Sequence, residues 1–230
     1  HVLVEKPMTL EVHEAEELTR LAESKGLVLA IGFHLRSHSG HRLIKERLDS
    51  GAIGEVRHIR IMWAWPVDSD QNWRTNDDFT KWWSLSAVGS HCIDLARWFA
   101  NDFDDFEKLS ATLTNEIFHG PHDETAILGA QLRSGCTVEI TSSVLFGPYN
   151  SIEIFGSDGS VFCDGTLGRD GAGTIHVNGE NMAFDPQNPF ATQLSNLICN
   201  IRQKEKLHAD APSGVRSVKD LNILLDTTEN

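Results

Sequence analysis

The chain has 230 residues, 40% hydrophobic and 23% charged, which excludes a disordered or collagen-like polymer and leaves enough chain to bury a core. With 20 Lys and Arg against 33 Asp and Glu, the formal charge is −13, which argues against a nucleic-acid partner. No run of about 18 apolar residues occurs, so no membrane span is expected, and the reading places the protein in the cytoplasm.

Val2 to Val4 reads as a short buried strand that stops at Glu5-Lys6-Pro7. Thr9 is a plausible N-cap for a helix carrying Leu10, Ala15, Leu18, Leu21 and Ala22, which Gly26 ends. Leu27 to Ile31 follows as a second strand, so the first 32 residues read as the tail of an α/β unit. A helix from Ser39 to Leu48, a turn at Gly51-Ala52-Ile53-Gly54 and a strand from Val56 to Trp65 come next. Between Pro66 and Lys81 lies a long polar loop with Asp68, Asp70, Asn72, Asn76, Asp77 and Asp78. Ser86 to Ala100 reads as one helix.

From Leu109 the pattern turns to strands, at Leu109 to Ile117, Ala126 to Leu132, Val138 to Phe146 and Ile152 to Phe155. Hairpin-type turns at Arg133-Ser134-Gly135 and Ser157-Asp158-Gly159-Ser160 imply one antiparallel meander. Gly165 to Gly179 reads as an exposed Gly-rich stretch, and two helices close the chain, near 190–204 and 215–226. The class is α+β. The four cysteines, Cys92, Cys136, Cys163 and Cys199, form no CxxC pair and read as small buried hydrophobes. The chain begins His1-Val2 without Met and stops inside a helical pattern, so it reads as a piece of a longer protein.

Three motifs carry chemistry. Glu5-Lys6-Pro7 sits at the carboxyl end of a strand, where open α/β sheets bind ligands. A desolvated Lys there can lose its proton near neutral pH, and the alternative is a solvated turn lysine. Gly89-Ser90-His91-Cys92-Ile93-Asp94 puts His91 and Asp94 three apart on a helix, either for proton transfer or as a structural pair. Gly32-Phe33-His34-Leu35-Arg36 ends the second strand, and the Arg36 fork could clamp an anion. His38 and His41 lie nearby without an acidic ligand cluster, so no metal is expected. Trp73, Trp82 and Trp83 flank the polar loop and suit either a sugar-holding platform or simple packing. No GxGxxG, GxSxG, HExxH or Walker A pattern occurs.

Taken together, Val4-Glu5-Lys6-Pro7-Met8-Thr9, Ala30-Ile31-Gly32-Phe33-His34-Leu35-Arg36, Leu48-Asp49-Ser50-Gly51-Ala52-Ile53-Gly54-Glu55-Val56 and Gly89 through Trp98 resemble the GFO/IDH/MocA oxidoreductase family. The resemblance covers nearly the whole chain. It implies residues 1–32 as the remnant of an NAD(P)-binding Rossmann domain. Residues 33–230 become an α+β substrate and assembly domain, with a large, mostly antiparallel open sheet and helices on one face. It further implies an NAD(P)-dependent oxidoreductase of a sugar, polyol or related compound, using NAD or NADP and forming a homo-oligomer through the open sheet. Without most of the cofactor domain, this piece would be inactive alone. Lys6, His91 and Asp94 match the family's catalytic positions, and Glu5, Lys6 and Pro7 lie beside the nicotinamide. Arg36, Trp73, His91 and Asp94 are the candidate substrate contacts. Inositol-dehydrogenase-like members often carry Asp four residues before the His, where this chain has Ala87. The alternative from another class is a non-catalytic ligand-sensing relative.

Overall fold

β1 (Val2–Val4), α1 (Val12–Ser24) and β2 (Leu29–Ile31) form a strand–helix–strand unit whose two strands pair in parallel. The computed structural model describes residues 1–71, 73–76, 78–101 and 104–226. Asn72 and Asp77 of the polar loop lie outside the described residues. α1 begins later than Thr9 suggests: Glu11 takes the N-cap, and its backbone N–H donates to the Glu14 carboxylate. Thr9 instead donates its hydroxyl to the Glu11 carbonyl. β1 is not buried as expected, since Val2 is 51% exposed. Leu3, Leu18, Leu21 and Leu27 are exposed beside it, so this unit presents an apolar face to solvent.

A 3₁₀ turn (His34–Ser37) leads into α2 (Ser39–Asp49) and β3 (Val56–Ala64). The expected helix from Ser86 proves to be two pieces, a π-helical turn (Leu85–Gly89) and then α3 (Ser90–Ala100). The strands β4 (Phe106–Thr114), β5 (Thr125–Leu132), β6 (Thr137–Ser143), β7 (Tyr149–Gly156), β8 (Ser160–Asp164), β9 (Thr174–Val177) and β10 (Glu180–Asn181) follow. α4 (Pro189–Gln203) and α5 (Ala211–Asp226) complete the described chain.

The large sheet has eight strands in the order β10-β9-β8-β7-β3-β6-β5-β4. It is not a plain meander. β3 inserts between β7 and β6, antiparallel to the first and parallel to the second. Its alternating Ile59 and Ile61 explain the central position. Ile61 faces Ile140 on one side and Ile152 on the other, and all three are buried. Such a strand loses least free energy where both neighbours cover its apolar side chains.

The helices cover one face, and Leu95 and Phe99 of α3 and Leu221 and Leu224 of α5 join the sheet residues in the core. The other face is open. It carries the Arg60–Glu153 ion pair together with the exposed Ile127 and Phe162. A second, smaller cluster ties Met8, Ala15, Ile31 and Phe33 to Ala209 and Val218, so α5 holds the N-terminal unit. The stretch 165–179 is not simply exposed. It contains β9, whose Ile175 is buried, and Thr166, buried with its hydroxyl 3.0 Å from His41 Nε2.

Candidate active site

Lys6 leaves the carboxyl end of β1 and reaches the π-helical turn. Its Nζ donates to the Ser86 carbonyl at 2.5 Å and the Ala87 carbonyl at 2.8 Å. The widened turn makes such acceptors available: the Ser90 N–H reaches back five residues to the Leu85 carbonyl. Burial and then the Arg74 charge bring the Lys6 amine down to about 7, against the opposing pull of Glu5. A neutral amine has two N–H bonds, and both are committed to carbonyls here. The lone pair is left for the cavity that Lys6 lines.

That cavity has a volume of about 740 Å³. Its inner wall holds Lys6, His34 and His91, and its sides are Trp63, Trp83, Val88 and Val144. Glu5 lines it too, whereas Pro7, joined to Lys6 by a cis bond, does not. Gly32 makes room for Glu5: a Cβ there would meet its Oε2 at 2.8 Å. His91 and His34 are both buried, with ring centroids 4.7 Å apart in an edge arrangement. His91 Nδ1 and His34 Nε2 are buried without a hydrogen-bond partner among the described residues. Two orphaned imidazole nitrogens beside one cavity are costly unless a ligand completes them.

Burial, then the charge on Lys6, keeps both imidazoles neutral: His34 falls to about 3, and His91 moves well below its ordinary range. This has a consequence for folding. Below pH 6.5 the unfolded chain protonates these histidines and the folded chain does not, so stability falls as pH drops. For His34 the window runs from 6.5 down to about 3. At about 1.36 kcal/mol per pH unit, its share at pH 5 is about 2 kcal/mol. Urea unfolding of His34→Gln at pH 7 and pH 5 checks this, with about 2 kcal/mol of the acid-induced loss expected to disappear.

The structure takes Asp94 away from His91. Both carboxylate oxygens meet the Arg36 fork, Oδ2 with Nε and Oδ1 with Nη2, each at 2.8 Å. Neither residue lines the Lys6 cavity. Arg36 borders a separate cleft of about 480 Å³ with Trp98 and His208. The shared helix face is therefore real, but the carboxylate turns to the 3₁₀ turn. The bond latches that turn, which carries His34, to the helix that carries His91. Trp73 also lies off the cavity wall, 54% exposed and stacked on Arg74 at 4.3 Å. Trp82 is core, while Trp83, with Trp63 and Trp65, lines the cavity.

Sequence reasoning missed Asp123. Its carboxylate accepts from the Trp83 and Leu85 N–H groups and from the Ser84 hydroxyl, capping the π-helical turn from the β4–β5 connection. No local signal could reveal a cap delivered from so far along the chain. Arg74, Arg169 and Phe190 of the cavity were missed for the same reason. Among the described residues, no group of three or more His, Cys, Asp or Glu is placed to hold a metal ion. Nor is any helix long and apolar enough to cross a membrane.

Comparison with known proteins bears on the family and the fold. Residues 41–162 match the GFO/IDH/MocA C-terminal domain, and residues 1–33 match the NAD-binding Rossmann fold of an oxidoreductase family. A dTDP-3,4-didehydro-2,6-dideoxy-alpha-D-glucose 3-reductase of Actinomadura kijaniata is 30% identical over 70% of this chain and 48% of its own length. A 1,5-anhydro-D-fructose reductase of Ensifer adhaerens is 24% identical over 95% of this chain and 67% of its own. The chain thus spans about half to two thirds of these relatives. The aldose-aldose oxidoreductase of Caulobacter crescentus superposes with a TM-score of 0.89 at 20% identity, over 100% of this chain and 70% of that one, a likeness of fold.

Proposed function

This chain belongs to the GFO/IDH/MocA oxidoreductase family, and from that premise we propose that the intact protein is an NAD(P)-dependent oxidoreductase of a sugar, polyol or related hydroxy or keto compound. The observation that carries the reading is the Lys6 amine, tuned to about 7, with both N–H bonds on carbonyls beside two unsatisfied imidazoles. Polyhydroxylated ligands supply the hydrogen bonds those nitrogens lack. Trp63, Trp65 and Trp83, rather than Trp73, offer the apolar faces a sugar ring needs.

In the oxidative direction, a substrate hydroxyl passes its proton to Lys6 Nζ while its carbon gives up a hydride. Lys6 returns that proton in the reverse direction. His91, neutral, holds the same oxygen by one hydrogen bond. Asp94 and Arg36 act as positioning residues, since their pair fixes the His34 turn against α3. The absence of a carboxylate at Ala87 is compensated by its backbone carbonyl, which holds Lys6 directly. Glu5, Lys6 and Pro7 would hold the nicotinamide end of the cofactor, which when bound supplies the hydride acceptor or donor. Glu5 and Lys6, lining the cavity at the carboxyl end of β1, fit such an occupant.

We place the boundary between cofactor and substrate domains at residues 32 and 33, where the small sheet ends. The exposed apolar face of β1 and α1 suits the remainder of a cofactor domain. The open sheet face, with Ile127 and Phe162, suits a homo-oligomer, which sedimentation of the intact protein tests. Four free thiols fit a cytoplasmic site, which fractionation tests. No feature of the site favours a ligand sensor over an enzyme. The decisive test is a sugar and polyol panel on the intact protein with NAD⁺ and NADP⁺, following nicotinamide absorbance. Turnover of at least one neutral or charged sugar is expected, and none with either cofactor would overturn the reading.

A further inference from the structure

The outer part of the cavity differs in charge from its inner wall. Arg169 stands at the mouth, in the loop between β8 and β9. Among the described residues it makes no ion pair. The neighbouring Asp170 carboxylate does not neutralise it by contact, since it accepts from the Ala172 N–H.

The loop also holds its shape. A Cβ at Gly171 would strike the Gln187 carbonyl, and one at Gly173 would come within 2.7 Å of the Asp164 carbonyl. Arg169 itself is layered. Its guanidinium lies 5.7 Å over the Phe190 ring, and Phe190 stacks on His34 at 4.2 Å and 11°. Phe190 thus touches both Arg169 and the buried His34, and all three line the same cavity.

Other features add positive potential. α4 begins at the same point, with Phe190 in its first turn and its dipole's positive end nearby. Arg74, half-buried, also lines the cavity, and its charge reaches Lys6. The acidic residues of the lining are Glu5 and Asp68, and Asp68 is exposed. In a chain of net charge −13, whose overall field repels anions, an exposed arginine without an ion pair on a cavity lined also by Lys6 and Arg74 makes that cavity locally favourable for an anion.

We propose that the occupant of this cavity is an anionic sugar, carrying a carboxylate or phosphate that Arg169 binds while the reacting carbon lies at Lys6. This rests on the proposed function for its placement of the reacting carbon, and it adds the substrate's charge. The anionic group sits at the end of the sugar remote from that carbon. A guanidinium fork matches a carboxylate or a phosphate equally well.

The test uses the chain as it stands, with the fluorescence of the cavity tryptophans as readout. D-glucose, D-glucuronate and D-glucose 6-phosphate are titrated into the wild-type chain, Arg169→Gln and Arg169→Lys at low and high salt. At least one anionic sugar is expected to bind about ten-fold tighter than glucose. The glucuronate and phosphate arms show which anion is meant. The preference is expected to shrink with salt, collapse in Arg169→Gln and survive in part in Arg169→Lys. Equal affinity for glucose and both anions, no binding of any, or a preference unchanged in Arg169→Gln would overturn the inference. The two readings fail separately. Cofactor-linked turnover of sugars without an Arg169-dependent preference leaves the oxidoreductase standing and sinks the anionic substrate. Arg169-dependent binding without any turnover in the intact protein does the reverse.

Discussion

Lys6→Ala in the intact protein is expected to lower kcat by about 10²- to 10⁴-fold, the usual contribution of a positioned acid–base group. The pH profile carries the mechanism. As a base Lys6 must be neutral, so oxidation should rise with pH through about 7 and then level off. As an acid it must be charged, so reduction should fall above the same pH. The stability sign runs the other way from a structural role. An unfolded Lys holds its proton up to about 10.5, and the folded one releases it at about 7. Lys6 therefore costs folding free energy as pH falls from about 10.5, and the full cost is reached below about 7. The alanine variant should unfold at no lower temperature than wild type at neutral pH. Retained turnover, or a profile without a limb near 7, would show that Lys6 does not move the proton.

The Arg36–Asp94 pair carries the second large effect. Both side chains are almost fully buried, 3% and 4% exposed, and the contact is bidentate. Asp94→Ala removes the bidentate carboxylate partner of a buried guanidinium and is expected to destabilise the chain by about 3 kcal/mol. Denaturant unfolding measures this. The paired replacement of Arg36 by Met and Asp94 by Leu should recover most of the loss, because it removes both desolvation penalties together. If the single variant unfolded at the wild-type midpoint, the pair would not be the latch between the His34 turn and α3.

Much of this was legible in one dimension. Lys6 could be placed at a strand end because Val2–Val4 is an apolar run closed by a proline. The α+β class followed from strand-like segments joined by hairpin-type turns between helices, and the turn at Arg133-Ser134-Gly135 does join β5 to β6. Other features depend on what lies across the fold. That Asp94 faces Arg36 rather than His91 could not be read from spacing, since i, i+3 fixes a helix face but not which neighbour that face meets. The π-helical turn at Leu85–Gly89 was equally hidden, because its cap arrives from Asp123 and its carbonyls are claimed by Lys6. Trp73 looked like a sugar platform by composition, yet the tryptophans at the cavity are those that β3 and the helix entrance project inward.

The sequence by itself determined the class of fold and the family, and it singled out Lys6 and His91 as candidates, because local periodicity and short motifs survive without three-dimensional context. Tertiary structure alone decided the site's chemistry. Desolvation of Lys6 and the neutrality of His34 and His91 depend on how much water each group loses and which charges come near. Those quantities depend on distances between residues far apart in the chain, and no local pattern carries them.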